Sequence, residues 1–115
     1  MLSKLTITSA RLRRGLLAAA DSVEAGERGA GRLVAVVLTE IGEAPDLSVE
    51  YVTLASQELV QPLDTLDRPA FLALAAWSGE TRLIDNIHLD AGDAGFVADR
   101  GSKLETKSVL YGGDV

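Results

Sequence analysis

The sequence predicts an α+β fold, with two N-terminal helices packed on one face of a small antiparallel sheet of about three strands. Three observations carry that expectation. Residues 9–25 repeat apolar positions at three- and four-residue steps (Leu12, Leu16, Ala19, Ala20, Val23), which lays one apolar stripe along a helix. Residues 47–54 alternate in polarity and contain Val49, Tyr51, Val52 and Thr53, side chains that suit a pleated, half-buried surface. From Arg68 to Leu89 an apolar run (Ala70–Trp77) meets the turn Ser78-Gly79-Glu80, and a second strand (Thr81–Leu89) follows.

Taken in order, the first helix has Ser9 as a candidate cap, since its hydroxyl can accept an otherwise orphan backbone N–H. Gly15 lies inside this helix at a cost of about 1 kcal/mol against alanine, which points to a close packing contact there. Gly26, Gly29 and Gly31 end the pattern. Residues 31–42 read either as a second helix or as a buried strand, because Leu33-Val34-Ala35-Val36-Val37-Leu38 is apolar throughout and β-branched in half its positions. Pro45-Asp46 breaks the chain before the strand at Leu47–Leu54. Ser56-Gln57-Glu58 starts a short turn or helix with Ser56 as its cap, and Pro62 ends it. Trp77, in alternation with Phe71, Ala73 and Ala75, is expected to bury against the first helix. From Asp90 the character changes. Ala91-Gly92-Asp93-Ala94-Gly95 is loop-like, and residues 91–115 form an extension that either adds a strand through Ser108-Val109-Leu110-Tyr111 or trails as a tail.

Composition bounds the function. At 115 residues and 47% hydrophobic, the chain is one domain with enough apolar mass for a single core. Only five aromatics occur, so that core is built from Leu, Val, Ile and Ala. Zero cysteines rule out a disulfide framework and a thiolate metal site, and suit a reducing cytoplasm. A net charge of −6 disfavours a nucleic-acid surface, and the short basic cluster Arg11-Arg13-Arg14 reads as a solvated helix face. No apolar run reaches the roughly 18 residues of a membrane span.

The hairpin also carries a resemblance. Thr81-Arg82, the aliphatic pair Leu83-Ile84 and then Asp85-Asn86-Ile87 resemble the C-terminal domain of the pantoate–β-alanine ligase family. Val49-Glu50-Tyr51-Val52 followed by Leu59 and Pro62, and the helical LLAAADSVEAGER at 16–28, resemble the same family in order and spacing. The likeness covers roughly residues 9–89, within a family-like domain taken as residues 1–90. It implies a helix for residues 31–42. It also implies a lid domain of an ATP-dependent, AMP-forming ligase of pantothenate biosynthesis, with ATP and magnesium belonging to the parent enzyme. Such ligases bind ATP on an N-terminal nucleotide-binding domain marked by His-x-Gly-His. That signature does not occur here, since His88 is the only histidine, and the Ser-Ser-Arg-Asn that precedes this region in the family is also missing. The resemblance therefore implies a partner that supplies the nucleotide-binding domain, and an isolated chain without ligase activity. A stand-alone binding or regulatory module, or a structural domain that self-associates as a homo-oligomer, is the alternative.

Among individual side chains, the resemblance puts Arg82 on the lid face that can turn toward bound nucleotide, where a planar guanidinium meets phosphate bidentately. The plainer reading is a surface arginine paired with Glu80 or Asp85. His88 has no companion ligands for a metal site and no partners for catalysis, so no catalytic residue and no metal ligand is assigned. Asp85 and Asn86 are expected to satisfy backbone groups near the sheet edge. The glycines of GERGAG at 26–31 lack the order and the preceding strand of a dinucleotide fingerprint and read as a helix–helix connector. No serine stands in a nucleophile elbow.

Overall fold

The stripe on the first helix sets the architecture. In the computed structural model, which describes residues 4–42, 46–92 and 95–99, Leu12, Leu16, Ala19, Ala20 and Val23 are all buried. They lie on helix α1 (Lys4–Glu24) and face the core. Ser9 is no cap, because α1 already begins at Lys4 and carries Ser9 exposed in its interior. The β-branched Thr6, Ile7 and Thr8 are weak helix formers, so the upstream extension left little mark on the sequence. The helix ends where expected. Gly26 takes a φ of +117°, its N–H donates to Val23 O at 3.0 Å, and the Glu27 N–H donates to Ser22 O at 2.9 Å. Those two bonds satisfy carbonyls that the last turn would otherwise leave bare.

Residues Ala30–Ile41 form helix α2, as the resemblance implies. The continuous apolar run is resolved by a four-residue period: Leu33, Val37 and Ile41 are buried while Ala35 and Leu38 face outward. Gly15 meets α2 where the two helices approach closely. A Cβ built there would stand 3.0 Å from Ile41 Cγ1, 3.1 Å from Val37 O and 3.2 Å from Val37 Cγ1, so only glycine fits without displacement.

Among the described residues four strands follow: β1 (Leu47–Ser56), β2 (Ala70–Ser78), β3 (Thr81–Gly92) and β4 (Gly95–Asp99). They form one antiparallel meander in the order β1-β2-β3-β4. The fold is α+β as expected, with one strand more than the sequence suggested. Strand β4 is short, and the glycine-rich stretch before it reads as loop; it is held by its ladder to β3 and by the Ala98 N–H, which donates to Glu24 Oε2 on α1 at 3.2 Å. The expected strand at Ser108–Tyr111 lies outside the described residues. The β2–β3 hairpin turns on two residues, Gly79 and Glu80, between the paired Ser78 and Thr81. Gly79 has a φ of +61° and Glu80 does not share it, the arrangement that favours glycine at the first turn position.

Both helices pack on one face of the sheet, α1 against β2, β3 and β4, and α2 against β1. That face carries Leu72, Leu74, Ala76, Ile87 and Leu89, all buried. Leu66 adds a plug from the β1–β2 connection. It is fully buried, its N–H donates to Arg28 O at 2.7 Å, and Asp64 O accepts from the Ala30 N–H at 2.9 Å, tying that connection to the one between the helices. Ser56 Oγ accepts from the N–H groups of Leu59 and Gln61 and so caps the turn after β1.

Trp77 is a correction. It does not bury against α1 but lies on the opposite face of the sheet, 39% exposed. The alternation is right and the face is reversed, because Leu72, Leu74 and Ala76, rather than Phe71, Ala73 and Trp77, meet the helices. Both parities of β2 are apolar, so the strand alone does not say which is inner. The leucines fill the space between sheet and helices.

Candidate functional site

The face of the sheet that no described helix covers gathers a polar cluster from three strands. The register sets Trp77 on β2 directly opposite Arg82 on β3. On β1 the pairing shifts between Val49 and Tyr51, a bulge that leaves Glu50 as the extra residue and re-aims its side chain. Glu50 then reaches both neighbours. Arg82 Nε donates to Glu50 Oε1 at 2.9 Å and Arg82 Nη2 donates to Oε2 at 3.3 Å, a two-pronged pair. Trp77 Nε1 donates to the same Oε1 at 3.0 Å.

The electrostatics follow from these bonds. Hydrogen bonding from Arg82 holds the Glu50 carboxyl below the usual glutamate range; desolvation opposes it, and the bond from Trp77 and the charge of Arg82 add to the lowering. The Arg82 guanidinium is pushed up in turn, chiefly by its bond to Glu50. Both groups stay open to solvent, with side-chain exposures of 37% for Arg82 and 41% for Glu50. Three exposed or half-exposed apolar side chains share the neighbourhood: Tyr51 and Ile84 flank Ala75 by register, and Val97 stands exposed on β4.

The partner expected for Arg82 was Glu80 or Asp85, and the geometry brings it Glu50 instead. Asp85 is three residues along the same strand, so it points to the opposite, helix-bearing face. There Arg13 Nη2 of α1 donates to Asp85 Oδ1 at 2.9 Å, and the Asn86 N–H donates to the same oxygen at 2.8 Å. Asp85 therefore does satisfy a backbone group, and it also clamps helix to sheet. Arg11 Nη1 donates to Ile41 O at the end of α2, so two of the three clustered arginines hold helices rather than lie free in solvent. His88 is exposed beside Phe71, with ring centroids 6.1 Å apart. Among the described residues no group of three or more His, Cys, Asp or Glu side chains is placed to hold a metal ion. No described helix is long and apolar enough to cross a membrane. A shallow recess of about 390 Å³ lined by Gln57, Glu58, Arg68 and Pro69 lies at the other end of β2 from Arg82. Sequence reasoning missed Glu50 and Trp77 as parts of one cluster. The Val-Glu-Tyr-Val stretch held the signal, but a bulge cannot be read from alternation alone.

Residues 2–88 match the model of the pantoate-beta-alanine ligase family. The chain belongs to this family. Pantothenate synthetase of Moorella thermoacetica is 37% identical over 82 residues, covering 71% of this chain and 29% of the relative. Pantothenate synthetase of Pelotomaculum thermopropionicum is 44% identical over 75 residues, 65% of this chain and 27% of its own length. A bifunctional pantoate ligase/cytidylate kinase of Trichormus variabilis is 42% identical over 78 residues, 68% of this chain and 15% of the relative. The fold agrees. The solved structure of pantothenate synthetase from Thermus thermophilus superposes with a TM-score of 0.63 at 27% identity, over 74% of this chain and 31% of that one. The chain thus spans less than a third of the length of these pantothenate synthetases.

Proposed function

We propose that this chain is the lid domain of an ATP-dependent pantoate–β-alanine ligase and works with a nucleotide-binding domain that these 115 residues do not include. The observation that carries the reading is the family match over residues 2–88 together with the small share of each relative that the match covers. In the parent reaction ATP activates the pantoate carboxylate as an acyl adenylate, and the amine of β-alanine then displaces AMP. An acyl adenylate hydrolyses readily, so a domain that closes over it excludes water and keeps the two reactants in position. The open face of the sheet is the surface assigned to that role, with Arg82 as the residue nearest the nucleotide phosphates. Magnesium belongs to this reading through ATP, whose phosphates are its usual ligands. The cytoplasm, where ATP is supplied, is the compartment this reading requires.

AMP release tests it. With ATP, magnesium, pantoate and β-alanine, the chain alone is expected to give no turnover, because a lid supplies neither the phosphate cradle nor the oriented reactants. Adding the nucleotide-binding part of the Moorella thermoacetica relative is expected to raise AMP release above that part alone. Turnover by the chain alone at about 1 per second or more, an ordinary enzyme rate, would overturn the reading. So would no gain on mixing the two parts or on joining them in one polypeptide.

A further inference from the structure

Glu50 grips Arg82 with the geometry that a phosphate would use. The guanidinium presents Nε and Nη2 to the two carboxylate oxygens at 2.9 and 3.3 Å, and the same edge fits two phosphate oxygens. Glu50 itself sits at a bulge, where the extra residue turns a side chain out of the ordinary alternation and across β2 to β3. Trp77 Nε1 holds Oε1 from the β2 side, so the carboxylate is fixed by two strands besides its own. The cluster is solvent-exposed on the face that no described helix covers, so an incoming anion reaches it without unfolding any described element.

We propose that Glu50 is a positioning residue that holds Arg82 extended along the open face as an internal stand-in for phosphate and is displaced when a polyphosphate binds. The inference rests on the reading of Arg82 as the residue that meets the nucleotide, and it adds a competitor that sets how tightly Arg82 binds. Glu50 keeps the arginine ordered, which lowers the cost of engaging a ligand. Its charge also opposes every anion that approaches. A closed lid would accordingly leave Glu50 parted from Arg82, still bonded to Trp77 Nε1.

The single tryptophan makes this measurable on the 115-residue chain itself, because Trp77 touches Glu50 and its emission reports the cluster. The probe is inorganic tripolyphosphate at low ionic strength, which mimics the phosphates of ATP without absorbing in the tryptophan band. The wild-type chain is expected to show a saturable change in Trp77 emission. Glu50→Gln should bind tripolyphosphate about two- to fivefold more tightly, the scale of one exposed ion pair, and Glu50→Asp should stay near wild type. Arg82→Ala should abolish the response. Glu40→Gln, the same charge change at an exposed position on α2, should leave the affinity alone.

The outcomes separate the two ideas. If Arg82→Ala removes the response while Glu50→Gln binds like wild type, the displacement proposal is wrong and the reading of Arg82 stands. If Glu40→Gln tightens binding as much as Glu50→Gln, the effect is one of net charge and the proposal is again wrong. If Arg82→Ala binds like wild type, or no variant responds at all, Arg82 is not a phosphate contact and both ideas fall.

Discussion

The two faces of one sheet hold the same kind of ion pair in different settings. On the helix-bearing face Arg13 and Asp85 are 20% and 22% exposed, and one guanidinium nitrogen, Arg13 Nη1, is buried without a hydrogen-bond partner among the described residues. On the open face Arg82 and Glu50 are 37% and 41% exposed and use both carboxylate oxygens. The first pair ties α1 to β3, and losing either partner leaves the other a half-buried charge with less solvent to compensate it. The second can exchange its carboxylate for water or for another anion at little cost. Packing, not residue type, decides which arginine is structural and which is available.

The largest test of that contrast is in the core. Leu74 is fully buried between sheet and helices, and Leu74→Ala is expected to lower unfolding stability by about 3 kcal/mol, as a cavity in a packed interior does. Chemical denaturation reads this as a drop in midpoint with the slope unchanged. A loss under about 1 kcal/mol would mean that the helices do not seal this face.

Next comes the inner pair. Asp85→Ala removes one oxygen that accepts from both Arg13 and the Asn86 N–H, and is expected to cost about 2 kcal/mol. Amide exchange should quicken along the centre of α1 as its tie to β3 is lost. Equal stability of mutant and wild type would put the inner pair in the same class as the outer one.

Trp77→Ala sharpens the comparison from the other side. A tryptophan filling the core would cost about 3–5 kcal/mol when truncated; on the open face the expected loss is about 1 kcal/mol. A core-sized loss would show that this face is covered in solution, for instance by a second copy of the chain, and sedimentation at the same concentration would reveal that copy.

The smallest effect is the outer pair's response to acid. The folded Glu50 carboxyl titrates below the ordinary glutamate value of 4.5, so whatever the pair contributes is fully present above that value and is lost as pH falls through the lower folded value. Trp77 emission should therefore hold steady from neutrality to about pH 5 and change only below the ordinary glutamate range. A transition centred at or above 4.5 would show that Arg82 does not hold Glu50 in solution.

Much of this molecule is legible in its residues, and the limits are physical. The stripe Leu12, Leu16, Ala19, Ala20, Val23 specifies α1, because a helix with one apolar side must bury that side. Ser78-Gly79-Glu80 between two strand-like runs specifies the hairpin, because Gly79 adopts the positive φ the turn demands. Gly15 announces a close approach, and α2 fills it. The motifs around Thr81–Ile87 and Val49–Val52 also identify the family, and the match over residues 2–88 agrees. Other features depend on what lies across space. The parity of β2 expected to face the helices was the wrong one, since both are apolar and only the volume beneath α1 and α2 selects Leu72 and Leu74 over Phe71 and Trp77. β4 owes its place to an existing β3 edge and to Glu24 rather than to any strong strand pattern of its own. Arg82 meets Glu50 because a bulge breaks the alternation of β1 and swings that carboxylate over Trp77. Local sequence determines the periodicity of an element and where it turns; the partners of its exposed charges are decided only once the strands lie side by side.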